Sequence, residues 1–205
     1  KVAQTGKPLI ISTGMATIAE LAEAVDVARD SGCRDLVLLK CTSTYPADPE
    51  NTNLRTITHL RELFQCEVGL SDHTMGIGAA IAAVALGATV IEKHFTLSRD
   101  DGGVDAAFSL EPAELAALVT ETARAWQALG GIQYGPTDAE QKAVLRRRSL
   151  YITQDMKAGD ALTTDNLHRI RPGHGLAPKY YDLLLGRRIK KPAKKGTPMS
   201  WDLLA

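Results

Sequence analysis

Two histidines, His73 and His94, stand in short polar runs, Ser71-Asp72-His73-Thr74 and Glu92-Lys93-His94-Phe95. Each run closes an apolar stretch, and each histidine has a carboxylate close by, Asp72 or Glu92. Imidazole is the commonest side-chain ligand of metal ions. A neighbouring carboxylate can orient the ring or serve as a base. Two histidines with coordination positions left open suit a catalytic divalent ion. The spacing equally permits a pair of structural histidines. Two further polar runs, Ser12-Thr13-Gly14-Met15 and Lys40-Cys41-Thr42-Ser43-Thr44-Tyr45-Pro46, also close apolar stretches. Ser12, Thr13, Ser43, Ser71 and Lys93 together make a hydroxyl-rich rim with one cation, suited to phosphate or carboxylate. The alternative is that the hydroxyls cap the helices that follow. The loop from Arg99 to Asp105 carries two glycines. It reads either as a cover over substrate, with Asp105 on a sugar hydroxyl, or as a solvated turn.

The elements that must hold these residues alternate in type. Strands are predicted at Leu9–Ile11, Leu36–Leu39, Glu67–Leu70 and Thr89–Ile91, where short apolar runs occur. Helices are predicted at Ile18–Arg29, Asn53–Phe64, Ile77–Leu86 and Pro112–Leu129, with Ser109 as a possible N-cap of the last. Serial strand-helix units give a parallel sheet with right-handed crossovers. A doubly wound sheet and a (β/α)8 barrel both fit. No GxGxxG or GxxxxGK[ST] follows any strand, which weakens a nucleotide-binding reading. Polar residues at every strand end would lie on one face, the face that carries the active site in barrels. The fold class read here is α/β: the C-terminal half of a (β/α)8 TIM barrel, since four strands cannot close one.

After Gly135-Pro136 the texture changes. Residues 136–147 read as a linker. Residues 148–205 read as a small β-rich domain, with strands near Ser149–Thr153 and His168–Gly173 and a short capped helix at Leu162–Leu167. The division is therefore 1–135, 136–147 and 148–205. Arg146-Arg147-Arg148 reads as solvated linker and His59 as a surface residue.

Composition bounds the function. The 205 residues carry 24 Lys+Arg against 24 Asp+Glu. That neutrality lacks the basic field of a typical nucleic-acid binder. The three cysteines form no CxxC, so no disulfide framework or cysteine zinc site is indicated, and a reducing cytoplasm is the expected compartment. The mainly apolar run Gly76–Ile91, interrupted by Gly78 and Gly87, falls short of the roughly 18 apolar residues of a membrane span.

Taken in order and spacing, the segments 11–15, 41–46, 69–74 and 91–96 resemble the sialic acid synthase family. Ile170-Arg171-Pro172-Gly173-His174-Gly175 and Leu185-Gly186-Arg187 resemble that family's antifreeze-like (SAF) domain. Lys40-Cys41-Thr42-Ser43 and Asp101–Ser109 are most similar to the pseudaminic acid branch rather than to the neuraminate or legionaminate branches.

The resemblance implies condensation of phosphoenolpyruvate with an open-chain N-acetylated amino sugar to a nonulosonic acid and phosphate. A 2,4-diacetamido-2,4,6-trideoxy-altrose is the expected sugar. It implies that His73 and His94 bind a divalent ion of manganese type, with Mg2+ or Co2+ as alternatives. Ser12, Ser43 and Ser71 would face phosphoenolpyruvate, although many family members have Asn in place of Ser43. Tyr45 and Asp105 would face the sugar, and Glu92 would transfer a proton. Arg171 would reach an N-acetyl group in a partner subunit, which implies a domain-exchanged homodimer. No nucleic acid or membrane is expected as a partner. The residues begin where the family's fifth barrel strand should begin. The expectation is a fragment of a longer protein, inactive alone. Two other readings stand beside the synthase: a non-catalytic carbohydrate- or partner-binding module, and a metal-dependent aldolase with another donor.

Overall fold

The computed structural model describes residues 1–205 and divides into two compact units, Lys1–Gly131 and Ile132–Ala205. In the first unit, β1 (Leu9–Ser12), β2 (Leu36–Cys41), β3 (Glu67–Asp72) and β4 (Val90–Lys93) form one parallel sheet in the order β1-β2-β3-β4. Between and after them run α1 (Ile18–Asp30), α2 (Thr56–Phe64), α3 (Gly78–Ala85) and α4 (Pro112–Leu129). Sequential order with every strand parallel is the topology of half a (β/α)8 barrel, so the fold class expected from the sequence holds.

Strand periodicity divides the sheet into two faces. Leu36, Leu38, Val68 and Leu70 are buried against Leu21, Val25, Ile57, Leu60 and Phe64 of the helices, in one core. Residues one position along point the other way. The register aligns Ser12, Leu39, Gly69 and Val90 on that inner face, then Cys41, Ser71 and Glu92. A smaller apolar cluster of Ala80, Leu110 and Leu118 joins α3 to α4.

Local chemistry sets the helix ends and corrects several expectations. The Thr17 side chain accepts from the Glu20 N–H while Glu20 accepts from the Thr17 N–H, a reciprocal cap that starts α1. α2 begins at Thr56 rather than Asn53, because Asn53 has φ +48 and cannot join a right-handed helix. α4 is capped by Glu111 with Glu114, not by Ser109, whose hydroxyl instead donates to the Asp105 carbonyl at 2.8 Å. β2 and β3 each run two residues beyond the expected end, and β4 ends at Lys93.

The second unit pairs β5 (Ser149–Ile152) with β6 (Leu167–Ile170), antiparallel. Leu150, Ile152, Leu162, Leu167, Leu184, Ile189 and Met199 are buried in its core. The stretch 136–147 is not bare linker: α5 (Gln141–Val144) lies within it, behind a Thr137–Glu140 cap. The short helix expected at Leu162–Leu167 is a turn instead, held by the Asn166 side chain, which accepts from the Thr163 N–H at 2.8 Å. α6 (Tyr181–Leu184) completes the unit. No helix of the chain is long and apolar enough to cross a membrane.

Candidate active site

His73 and His94 are the first residues beyond β3 and β4. The period of two that places Ser71 and Glu92 on the inner face places these imidazoles there as well. Their ring centroids lie 5.2 Å apart with planes at 71°. The Tyr45 ring lies 4.2 Å from His73 and 5.9 Å from His94. Phe108 closes the group, 5.0 Å from His94 and 5.9 Å from Tyr45. Four rings drawn from four segments therefore make one box at the carboxyl ends of the strands.

The histidines are oriented differently. His73 is buried, and its Nδ1 lies 2.9 Å from the Thr42 carbonyl oxygen. A carbonyl only accepts, so Nδ1 carries the proton and Nε2 keeps its lone pair. His94 Nδ1 stands 3.5 Å from an Asp105 carboxylate oxygen, an electrostatic rather than a hydrogen-bonded contact. Both arrangements resemble the way ligating imidazoles are steered by an oxygen on the far nitrogen. The donor set therefore fits an ion held by two imidazoles. No group of three or more His, Cys, Asp or Glu side chains gathers to hold a metal. Remaining coordination positions would fall to water or substrate oxygens.

The carboxylates nearest in sequence are not the imidazoles' partners. Asp72 lies on the helix-facing side of β3 and accepts from the Thr74 N–H and hydroxyl. Glu92 accepts a hydrogen bond from the buried Ser71 hydroxyl at 2.7 Å. Lys93, expected on the rim, is buried against Asp72 and donates to it at 2.8 Å. One-residue alternation explains Asp72 and Lys93, paired on the side opposite 71, 73, 92 and 94, while Glu92 shares the imidazoles' face and is held there by its cross-strand neighbour Ser71.

The rim hydroxyls do not cap the helices, whose N-caps are Thr17, Arg55 and Ile77. Ser12 is exposed at the end of β1. Ser43 lies 3.7 Å from the Cys41 sulfur, which is 4.0 Å from His73 Nδ1. Lys40, quoted from sequence only as part of a branch-like run and given no site role, donates to the Cys41 carbonyl and the Thr42 hydroxyl at 2.8 Å each. Partial burial pulls its amine below its ordinary value. The Arg99–Asp105 loop is anchored at its base: Arg99 donates to Glu114 and, at 3.1 Å, to the Ser109 carbonyl. The hydrogen bond from the Glu111 N–H and the Arg99 contact hold the Glu114 carboxyl below its ordinary value.

Sequence reasoning missed Phe108 and the Thr42 carbonyl. Phe108 sits on a single turn, Ala106–Phe108, with no local periodicity to announce it, and it is brought in when the Leu110 N–H bonds the His94 carbonyl at 2.9 Å. Arg171 lies exposed beyond β6 in the second unit. A cavity of about 640 Å³ at the opposite ends of β2 and β3, lined by Arg29, Arg34, Arg61 and Glu67 among others, holds none of these residues.

Known proteins are similar to this chain. The NeuB family model matches residues 1–134 and the SAF domain model residues 147–205. A pseudaminic acid synthase of Campylobacter jejuni serotype O:2 is 44% identical over 198 residues, covering 95% of this chain and 57% of that protein. A pseudaminic acid synthase of Helicobacter pylori is 39% identical over 204 residues, covering 98% of this chain and 60% of that protein. The chain thus spans under two thirds of the length of these relatives. Among solved structures, the N-acetylneuraminic acid synthetase of Leptospira borgpetersenii, in complex with citrate, superposes with a TM-score of 0.64 at 38% identity. That match covers 70% of this chain and 50% of the other. The parallel half-barrel with its polar strand ends, and the small domain that follows it in the chain, therefore belong to the NeuB family and its SAF domain.

Proposed function

We propose that the complete protein condenses phosphoenolpyruvate with an open-chain N-acetylated amino sugar, releasing phosphate and a nonulosonic acid of the pseudaminic type. The observation that carries this reading is the convergence of His73, His94, Tyr45 and the Ser71–Glu92 pair on one face at the strand ends. His73 Nε2, its lone pair freed by the Thr42 bond, and His94 would hold one divalent ion, manganese in this reading. When bound, such an ion supplies Lewis acidity toward the sugar carbonyl oxygen.

Each protein group has a task. Ser12, Ser43 and Ser71 face phosphoenolpyruvate, and Tyr45 and Asp105 face the sugar. Carbon three of phosphoenolpyruvate attacks the aldehyde carbon, and the aldehyde oxygen gains a proton. Water adds to the oxocarbenium carbon left behind. The resulting tetrahedral carbon expels phosphate and becomes the ketone of the product. Glu92, already hydrogen-bonded to Ser71, is the proton carrier in this sequence. Arg171 reaches an N-acetyl group in a second copy's site, which makes the working assembly a domain-exchanged homodimer; a planar guanidinium is a strong donor to a carbonyl.

The test is mass-spectrometric identification of the product formed with each candidate sugar, run with phosphate release and with and without a chelator. A diacetamido trideoxy altrose converted with stoichiometric phosphate is the expected result. N-acetylneuraminate or legionaminate as product moves the assignment to a sister branch. Turnover without phosphate release overturns it in favour of an aldolase, and sugar binding that survives chelation without turnover overturns it in favour of a binding module.

A further inference from the structure

Asp72 and Lys93 pair in register across β3 and β4, and their side chains are 0% and 3% exposed. Lys93 Nζ lies 2.8 Å from Asp72 Oδ2 and also donates to the Thr74 carbonyl. Asp72 Oδ1 accepts the Thr74 N–H at 2.9 Å and the Thr74 hydroxyl at 2.8 Å. A buried ion pair is a weak device for stability alone, because desolvation cancels much of the attraction and well-packed apolar residues often hold as well. What apolar residues cannot supply is direction. Charge-assisted hydrogen bonds are short and oriented.

Direction matters here because of where these residues stand in the chain. Asp72 and Thr74 flank His73, and Lys93 directly precedes His94. One ammonium thus ties both chain neighbours of one imidazole to the neighbour of the other. We infer that Asp72, Thr74 and Lys93 form a positioning clamp that sets the 5.2 Å separation of the two rings. The clamp acts from the helix-facing side of the sheet and reaches no substrate. The inference rests on the reading of the imidazoles as ion ligands given above.

The test compares the parent chain with Asp72→Asn/Lys93→Gln, which removes both charges, and with Thr74→Val, which removes one hydrogen bond and no charge. Two readouts apply: the imidazole nitrogen NMR signals of the metal-free protein, and Co2+ titration followed by visible absorption. The double variant is expected to melt cooperatively, to shift the ring signals of both histidines, and to weaken Co2+ binding by roughly 10- to 100-fold, the usual cost of losing an outer support. Thr74→Val is expected to move both readouts in the same direction by a smaller amount. A folded double variant with parent ring signals and parent Co2+ affinity overturns the clamp. Should the double variant not fold, Thr74→Val decides by the same criteria. A parent chain that binds no Co2+ refutes the ion reading instead, and the ring signals then decide the clamp by themselves.

Discussion

Gly69 lies on the inner face of β3, two residues before Ser71 and four before His73. A Cβ built there would stand 2.2 Å from the Val90 carbonyl oxygen and 2.6 Å from Leu39 Cδ2, whereas ordinary contact begins at 3.4 Å. Leu39 can turn aside. The Val90 carbonyl is backbone of the neighbouring strand, so Gly69→Ala must part β3 from β4 by about 1 Å. Overpacking of this kind costs about 1–3 kcal/mol, which lowers the melting midpoint by roughly 3–12 °C for a unit of this size. The larger effect is on function, because β3 carries Ser71 and His73 while β4 carries Glu92 and His94. A displacement of about 1 Å between catalytic groups costs on the order of 100-fold in rate. The assay is circular dichroism melting beside phosphate release in the complete protein, with Gly78→Ala as control, since a Cβ there meets nothing within 4 Å. A Gly69→Ala protein with the parent's melting midpoint and turnover would refute the argument that the close approach of these strands sets the site.

Three further outcomes are expected. Ser71→Ala removes the 2.7 Å bond to Glu92, an interaction worth about 1–3 kcal/mol; turnover should fall roughly 5- to 150-fold, and the melting midpoint should drop by roughly 3–12 °C. Leu150→Ala empties a fully buried position in the second unit and should cost about 2–5 kcal/mol, read as a lowered urea midpoint for that unit. The Asp155 carboxyl is held below its ordinary 3.8 by the Lys194 ammonium and the Lys195 N–H, and Lys194 is held above its ordinary 10.5 by Asp155. A lowered acid stabilises above its unfolded value and loses that contribution as pH falls through its folded value. A raised amine stabilises below its unfolded value and loses it as pH rises through its folded value. The pair should therefore hold across the neutral range and weaken below about pH 3.8 and above about 10.5. Asp155→Asn should flatten both limbs of a stability–pH curve by a small amount, because the pair is exposed.

Much of the fold was legible because its signals are local. Apolar runs a few residues long, helical spacing between them, and a polar run at each strand end are enough to require a parallel sheet with its polar ends on one face. The family likeness rested on those same strand-end runs. Helix starts were less legible, since they depend on single backbone states and caps. Asn53 at positive φ and the Glu111–Glu114 cap moved two boundaries that composition would have placed elsewhere.

The amino-acid sequence by itself determined which residues could do chemistry and which end of the sheet would present them. Tertiary structure decided what each of those residues touches. Asp72 turns away from His73 to the other side of the sheet, Glu92 shares a face with His94 but is bound by Ser71, and the oxygens nearest the ring nitrogens belong to Thr42 and Asp105. Lys93 leaves the rim for Asp72, and Phe108 arrives from a turn with no pattern of its own. The physical reason is the period of the strand. Adjacent residues face opposite sides, so a partner is set by register and by returning loops, neither of which nearness along the chain encodes.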